Sequence, residues 1–391
     1  MKFNKWTLGL AAVGVVSLTS AARADETNMV MTALSATSIS GYVDVSAQFN
    51  PGGGGVGFTP NYNLGVNNAN QISLNVVDIA LDKPLDEAPW ASGYHVELWL
   101  GPDAAALGTS TSGGNAAIRE AYIALRTPVG NGIDWKFGVF NTIIGYESLT
   151  SGHNPNFSHS YAFNIEPTTH TGALATYKVC DAVTVQAGLA DTSYSDDIPG
   201  YTAAINPPTG PNDVSAGLSL PTVMGGVSLT APDSWGWAKG AALSGVIINT
   251  SGNAAGGTSY FVGGTLPTPN ANLKFGGSFD YLNAHAGGNI WNVAGYGTFA
   301  FNDKLSLNLR AEHMSGTSAI AAGAYGGSPL GSNAADEITA TLQYNIWANV
   351  ISRVEVRWDH VEHGNGFAST SGISATESEA YLLAAQLIYT F

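Results

Sequence analysis

From Ser38 to Phe49 the chain alternates strictly. Ile39, Gly41, Val43, Val45, Ala47 and Phe49 fall on one face, and Ser40, Tyr42, Asp44, Ser46 and Gln48 on the other. A period of two with one dry and one wet face predicts a β-strand. The pattern recurs in 272–282, where Leu273, Phe275, Gly277, Phe279 and Tyr281 oppose Lys274, Gly276, Ser278 and Asp280. It recurs again in 304–312, with Leu305, Leu307, Leu309 and Ala311 against Lys304, Ser306, Asn308, Arg310 and Glu312. Applied to the whole chain, the pattern predicts sixteen strands: near 38–49, 70–81, 92–101, 117–127, 132–140, 171–179, 182–190, 222–230, 239–249, 258–265, 272–282, 290–301, 304–313, 337–346, 349–359 and 380–391. A further strand fits 213–220.

The connections add a topology. Cys180-Asp181, Asn302-Asp303 and Trp347-Ala348 are very short, and they alternate with long stretches at 50–69, 141–170, 191–221, 314–336 and 360–379. Short turns at one end and long loops at the other predict an all-β, transmembrane, antiparallel up-and-down barrel with periplasmic turns and extracellular loops. Trp90, Trp135, Trp235, Trp237 and Trp347 fall at the proposed periplasmic end, and Trp99, Trp291 and Trp358 near the other. Two aromatic belts at two membrane interfaces are the expectation.

Residues 1–24 read as a secretory signal: Lys2 and Lys5, an apolar run from Leu8 to Leu18, then Ala22-Arg23-Ala24. Residues 25–37 then form a short periplasmic segment, and 38–391 the barrel, placing the protein in a bacterial outer membrane. Removing the signal leaves 11 of the 14 basic side chains against 29 acidic ones, a net charge of −18, which disfavours nucleic acid as a partner. Only 11% of the chain is charged, against about 25% for a soluble domain, as expected if much of the surface meets lipid. Cys180 is the single cysteine, so no disulfide is expected, and it reads as a turn residue.

The last strand carries Tyr381, Leu383, Ala385, Leu387, Tyr389 and Phe391 on one face. A terminal aromatic preceded by alternate apolar residues resembles the signal read by the outer-membrane barrel assembly machinery, with Tyr389 and Phe391 as its key positions. Two further stretches resemble the OmpL-like β-barrel porin family of Gram-negative bacteria. One runs from Gly138 to Gly172 and carries Gly145, Glu147, Asn154, Ser158, Ser160, Phe163, Pro167, His170 and Gly172. The other is the hairpin from Glu337 to His360, together with L-R-A-E-H at 309–313. The resemblance implies an outer-membrane pore and no particular solute; a homotrimer follows only by analogy with general porins.

Sixteen strands enclose an aqueous channel rather than a side-chain core. The polar faces then line it with His95, Glu97, Glu120, Arg126, Asp134, Lys136, Lys178, Asp280, Arg310, Glu312, Arg353, Glu355, Arg357 and Asp359. The alternating signs of Arg353, Glu355, Arg357 and Asp359, with Arg310 and Glu312 nearby, suggest a charge ladder for permeating ions or, alternatively, a structural salt-bridge network. In general porins the loop after the fifth strand folds inward. If the resemblance holds, 141–170 does the same, and Glu147, His153, His159 and Glu166 lie at a constriction; otherwise the loop packs over the mouth.

The histidines and glutamates of that loop match no metal-ligand spacing, and no metal or cofactor is expected. Pro51 to Gly57 is glycine-rich but lacks the Gly-Lys-Ser/Thr ending of a phosphate loop. The reading is a non-enzymatic, mildly cation-selective diffusion channel for small hydrophilic solutes. Two rivals stand beside it: a structural or adhesive barrel with a closed lumen, and a membrane-embedded lipid hydrolase, for which no Gly-x-Ser-x-Gly elbow is present.

Overall fold

The computed structural model describes residues 37–51, 60, 62, 70–107, 114–190, 222–250, 257–284, 288–317, 321, 324, 333–368 and 375–391. Its strands are β1 (Ser38–Phe49), β2 (Gln71–Lys83), β3 (Ser92–Leu100), β4 (Ala116–Thr127), β5 (Ile133–Asn141), β6 (Thr169–Cys180), β7 (Val183–Ala190), β8 (Thr222–Thr230), β9 (Ala242–Thr250), β10 (Gly257–Pro267), β11 (Leu273–Ala284), β12 (Gly288–Ala300), β13 (Leu305–Gly316), β14 (Ala334–Trp347), β15 (Val350–Val361), β16 (Phe367–Ala368), β17 (Ala375–Glu377) and β18 (Glu379–Thr390). All but β16 and β17 pair in sequence order, antiparallel, into one closed barrel of sixteen strands. The expected strands are therefore present, several of them longer than the alternation alone indicated. β14 starts at Ala334 and β13 runs on to Gly316, because ladder hydrogen bonds continue past the residues whose polarity alternates. β16 and β17 form a small hairpin within the connection 362–378. The candidate strand at 213–220, the glycine run at 52–57 and the leader lie outside the described residues.

Closure occurs between the first and last strands, with Tyr42 opposite Thr390 and Phe49 opposite Leu383. Gly41 N donates to Phe391 O at 3.1 Å, and Phe391 N returns a bond to Gly41 O at 3.0 Å. A Cβ at Gly41 would lie 2.1 Å from Asp78 O and 2.8 Å from the Phe391 ring, so the seam needs glycine there. The ladder leaves no open edge, which is what a spanning sheet requires in lipid, where no water is present to satisfy a free edge.

The alternation sorts chemistry between two sides. Leu98, Ile118, Phe137, Ile247, Phe279 and Val354 point out and are exposed in the isolated chain. An apolar coat of that extent would be a liability in water and suits a hydrocarbon surround. Trp90, Trp235, Trp237 and Trp347 stand exposed on the short-turn end. Trp291 and Trp358 lie near the opposite end and share the outward parity of Val293 and Val356. Trp99 corrects the belt expectation. It is 1% exposed, it faces inward, and its Nε1 donates to Asp78 Oδ2 at 2.9 Å. Its parity with His95 and Glu97 already assigned it to the wet face.

Two of the barrel's register shifts, in β2 and β4, break strict alternation and turn extra side chains inward. In β2 the register shifts opposite Asp44/Val45, so that Asn75 and Val76 are both buried. In β4 the shift opposite Glu97/Leu98 leaves Arg119 as the unpaired extra residue, so that Arg119 and Glu120 both face the lumen. A bulge inserts one residue and resets the two-residue period. This is why a two-residue period counted through Glu120 and Arg126 does not bring Arg119 into the lumen set.

Candidate functional site

The connection between β5 and β6, residues 142–168, lies inside the barrel, and its first limb is held by apolar contact. Ile143 and Ile144 pack with Phe140, Met224, Val246, Ile248 and Phe261 in one buried cluster contributed by β5 and the lumen faces of β8–β10. No charged side chain occupies the lumen face of β7–β10 among the described residues. Burying an isoleucine there contributes about 1.5–3 kcal/mol, and any apolar wall of the right shape would provide it.

The middle of the loop is held by charge-assisted hydrogen bonds, and most of them reach its backbone. Arg310 on β13 donates from Nη1 to Ser158 O at 2.6 Å and from Nη2 to His159 O at 3.2 Å. Arg357 on β15 donates to His159 O at 2.5 Å, and Arg353 to Asn154 O at 2.5 Å and Ser151 O at 2.9 Å. Carboxylates on the same wall accept the loop amides. Glu355 takes Phe157 N at 2.6 Å and Ser158 N at 2.9 Å, and Glu312 takes Tyr161 N at 2.8 Å. The Tyr161 hydroxyl donates to Asp359 Oδ1 at 2.7 Å, and the Asn156 amide to Thr341 Oγ1 at 2.7 Å. Guanidinium groups thus meet carbonyls and carboxylates meet amides in alternation, and the alternating signs of β15 match the alternating polarity of a peptide backbone.

Arg310, Glu312, Arg353, Glu355, Arg357 and Asp359 are each 5% exposed or less. They form no open ladder along a water column, because the loop covers them. Lateral pairs complete the wall: Arg310 Nε to Glu337 Oε2 at 3.0 Å, and Arg357 Nη2 to Asp359 Oδ1 at 2.6 Å. The network continues across the barrel seam through Arg353, Gln386, Asp44, Asn75 and Ser46, with donor–acceptor distances of 2.8–3.1 Å. Glu337, Asp44 and Asn75 were not among the candidate site residues. Asp44 and Glu337 carried the right parity, whereas Asn75 is brought in by the β2 bulge.

Glu147, His153, His159 and Glu166 occupy three separate places. Glu147 and His159 meet at 3.1 Å, and Glu147 also takes Arg310 Nη1 at 2.8 Å, Ser160 N at 3.0 Å and the Tyr296 hydroxyl at 3.1 Å. Burial opposes its ionisation, but Arg310, His159 and the Ser160 amide outweigh that and hold the carboxyl down to about 2. His159 stacks on Phe163 with centroids 3.9 Å apart. His153 stays exposed at the end of a 3-10 turn, Ser151–His153. Enclosure by the barrel and the Arg119 guanidinium depress its imidazole below the ordinary range. Glu166 is buried against Asp280 of β11, and burial with that neighbouring carboxylate raises it well above the ordinary range.

The remaining lumen positions stand on the β2–β5 side, except Lys178 of β6, whose Nζ donates to Asp181 Oδ1 at 2.6 Å beside the short turn. Arg119 donates to Glu97 at 2.7 Å, to Glu120 at 3.3 Å and to Thr150 Oγ1 of the loop at 3.2 Å, and Glu120 accepts Asn141 N at 2.7 Å. His95 bridges Asp82 and Glu97 at 3.0 and 3.2 Å. Lys136 lies 4.3 Å from the Tyr122 ring centroid, and Arg126 pairs with Asp134 at 3.0 Å near the turn end. Among the described residues, two groups have metal-compatible spacing, His95/Glu97/Glu120 and His313/Asp336/Glu362. In the first, the Arg119 guanidinium already neutralises the carboxylates.

A closed sixteen-stranded barrel with an apolar coat, a polar lumen and an inward-folded loop after its fifth strand defines the class of outer-membrane porins. Residues 36–391 match the family described as "Putative beta-barrel porin-2, OmpL-like", and the chain belongs to that family of bacterial outer-membrane barrels. The fold is similar to that of the outer-membrane channel DcaP of Acinetobacter baumannii (TM-score 0.58, 12% identity, 91% of this chain and 97% of that one). It is also similar to the anion-selective porin from Comamonas acidovorans (TM-score 0.55, 10% identity, 91% and 99%) and to the trimer form of OmpT of Vibrio cholerae (TM-score 0.54, 12% identity, 91% and 99%). No curated protein sequence matches the chain.

Proposed function

We propose that this barrel is a passive diffusion channel for small hydrophilic solutes and ions, and that the loop 142–168 sets its narrowest section. The observation that carries the reading is the docking of the loop backbone on the β13–β15 arginines and carboxylates inside the barrel. A loop that only covered the mouth would have no use for a wall of buried charges matched to its peptide groups. Glu147, His159 and the buried Arg119 stiffen that segment, and the exposed His153 stands beside the path that remains. The acid excess of the chain favours cations mildly, because a mature charge of −18 concentrates counter-ions at the mouths within a Debye length of about 8 Å. The shared fold with a trimeric barrel supports a homotrimer. The signal at 1–24 delivers the chain to export, and Tyr389 and Phe391 present the last strand to the assembly machinery.

Planar-bilayer conductance of the refolded mature protein tests the channel. Discrete steps, with a reversal potential favouring K⁺ in a KCl gradient, are expected. A folded barrel without steps would move the closed structural barrel ahead. Deleting 148–160 is expected to raise the step size, and an unchanged step would remove the loop from the constriction. Cross-linking in detergent should trap a trimer if the assembly reading is right.

A further inference from the structure

At the long-loop end of the barrel, ligand atoms from three segments converge on the outer face. His313, near the end of β13, stands directly opposite Asp336 of β14 in the ladder, and the two share the outward parity of Leu309 and Ile338. Glu362 is the first residue past β15, and its backbone N donates to Ala334 O at 3.1 Å, which fixes it beside β14. His313 Nδ1 lies 2.8 Å from Asp336 Oδ1 and 3.8 Å from Glu362 Oε1, and the three ligand atoms fall within 4.8 Å of one another. Trp291 packs on the imidazole with ring centroids 5.2 Å apart and limits how it can turn. The three side chains are 35% to 37% exposed, open to an ion arriving from outside, whereas Glu97 and Glu120 in the lumen are buried and bonded to Arg119.

An imidazole nitrogen carries one proton at most, so Nδ1 can donate to one of the two carboxylates and not to both. Among the described residues, the ion pairs of Asp336 and Glu362 are with histidine alone. A metal ion in place of that proton would satisfy both carboxylates at once. Zn²⁺ about 2.1 Å from each ligand needs donors roughly 3–3.5 Å apart, and the spacings of 2.8 and 3.8 Å straddle that range. We infer that His313, Asp336 and Glu362 form a site for a divalent transition-metal ion of the Zn²⁺ type on the outer rim of the barrel. One imidazole with two carboxylates favours such an ion over Ca²⁺ and Mg²⁺, which take oxygen ligands. His363 Nδ1, 3.9 Å from the other oxygen of Glu362, adds a second imidazole beside the set. The ion ties the root of the connection 362–378 to β13 and β14, the two strands that flank the connection 317–333, and so braces two outer loops at the mouth.

Binding tests the site, whether or not the barrel conducts. Untagged, refolded mature protein, stripped with EDTA and held in detergent, is titrated with Co²⁺ and then with Zn²⁺. The site predicts a visible absorption band that saturates at about one ion per chain and is bleached by Zn²⁺. Affinity should fall at least about tenfold in His313→Ala and in Glu362→Gln, since even groups one step removed from a metal cost that much when lost. Asp233→Asn, which removes a surface acid at the short-turn end, and His95→Gln, in the lumen group, should bind as the wild type does. Heat-modifiable electrophoretic mobility confirms that each variant is a closed barrel. Glu362→Gln lies beyond β15, leaves the ladder intact and decides the matter if His313→Ala misfolds. A wild type without a saturable band, a Glu362→Gln variant of unchanged affinity, or loss in His95→Gln alone overturns the proposal and leaves His313 and Asp336 as an ordinary ion pair.

Discussion

One loop meets two walls that differ in kind. On β8–β10 it is held through Ile143 and Ile144 against Met224, Val246 and Phe261, a contact any closely fitting apolar surface could make. On β13–β15 it is held by Arg310, Arg353, Arg357, Glu312 and Glu355 through backbone atoms, which fixes its register residue by residue. Apolar burial is non-directional, and this contact contains no titrating group. Charge-assisted bonds are directional, and a buried pair with one partner removed leaves the other charge stranded. The first wall therefore attracts the loop, and the second decides where it stops.

The sharpest way to break the contrast is Arg310→Ala. It strands Glu147 and Glu337, and a destabilisation of about 3–5 kcal/mol is expected, read by urea-induced loss of heat-modifiable mobility, with noisy, enlarged conductance steps. Glu355→Gln comes next. It keeps one acceptor oxygen for two loop amides, and a loss of about 1–3 kcal/mol is expected by the same unfolding measurement. On the apolar wall, Ile143→Val is expected to cost about 0.5–1.5 kcal/mol, with conductance noise unchanged between pH 7 and 3.

The charged wall should respond to pH where the apolar one does not. Glu147 is held below its ordinary value of 4.5, at about 2, so its contribution is complete above pH 4.5 and is lost as pH falls through 2. Step size should thus be flat from pH 7 to about 5 and grow below about pH 3. Growth already at pH 6 would assign the response to another group. The smallest effect is expected for Lys239→Ala at the turn end. Its pair with Asp233 is 60% and 84% exposed, and less than about 0.5 kcal/mol should change in the same unfolding assay.

Most of the barrel was legible because a two-residue period is a geometric fact about strands. Each of the sixteen runs sorted its own faces, and Glu97, Glu120, Arg310 and Arg357 fell on the wet side without any knowledge of their neighbours. Arg119, Asn75 and Trp99 show where the reading thinned. A bulge is invisible in a pattern it resets, and an indole on the wet face is easily taken for a belt residue. What the chain could not disclose locally was the partner of each charge. The alternating signs of Arg353 to Asp359 are visible in sequence, but that they match the peptide groups of residues 154–161 depends on contacts about 200 positions apart.

The seam between β1 and β18 also orders events in time. Asp44 and Gln386 bond across 342 positions, so the final ladder, and the polar chain leading from it to Arg353, forms only when both ends of the chain are present. Until then the sheet carries two open edges, the state most exposed to mispairing with other chains. Contacts of such long range are slow to form, and the loop must enter the lumen before or during that closing step. A catalyst that holds the open edges of the nascent sheet would therefore also govern whether the loop docks inside.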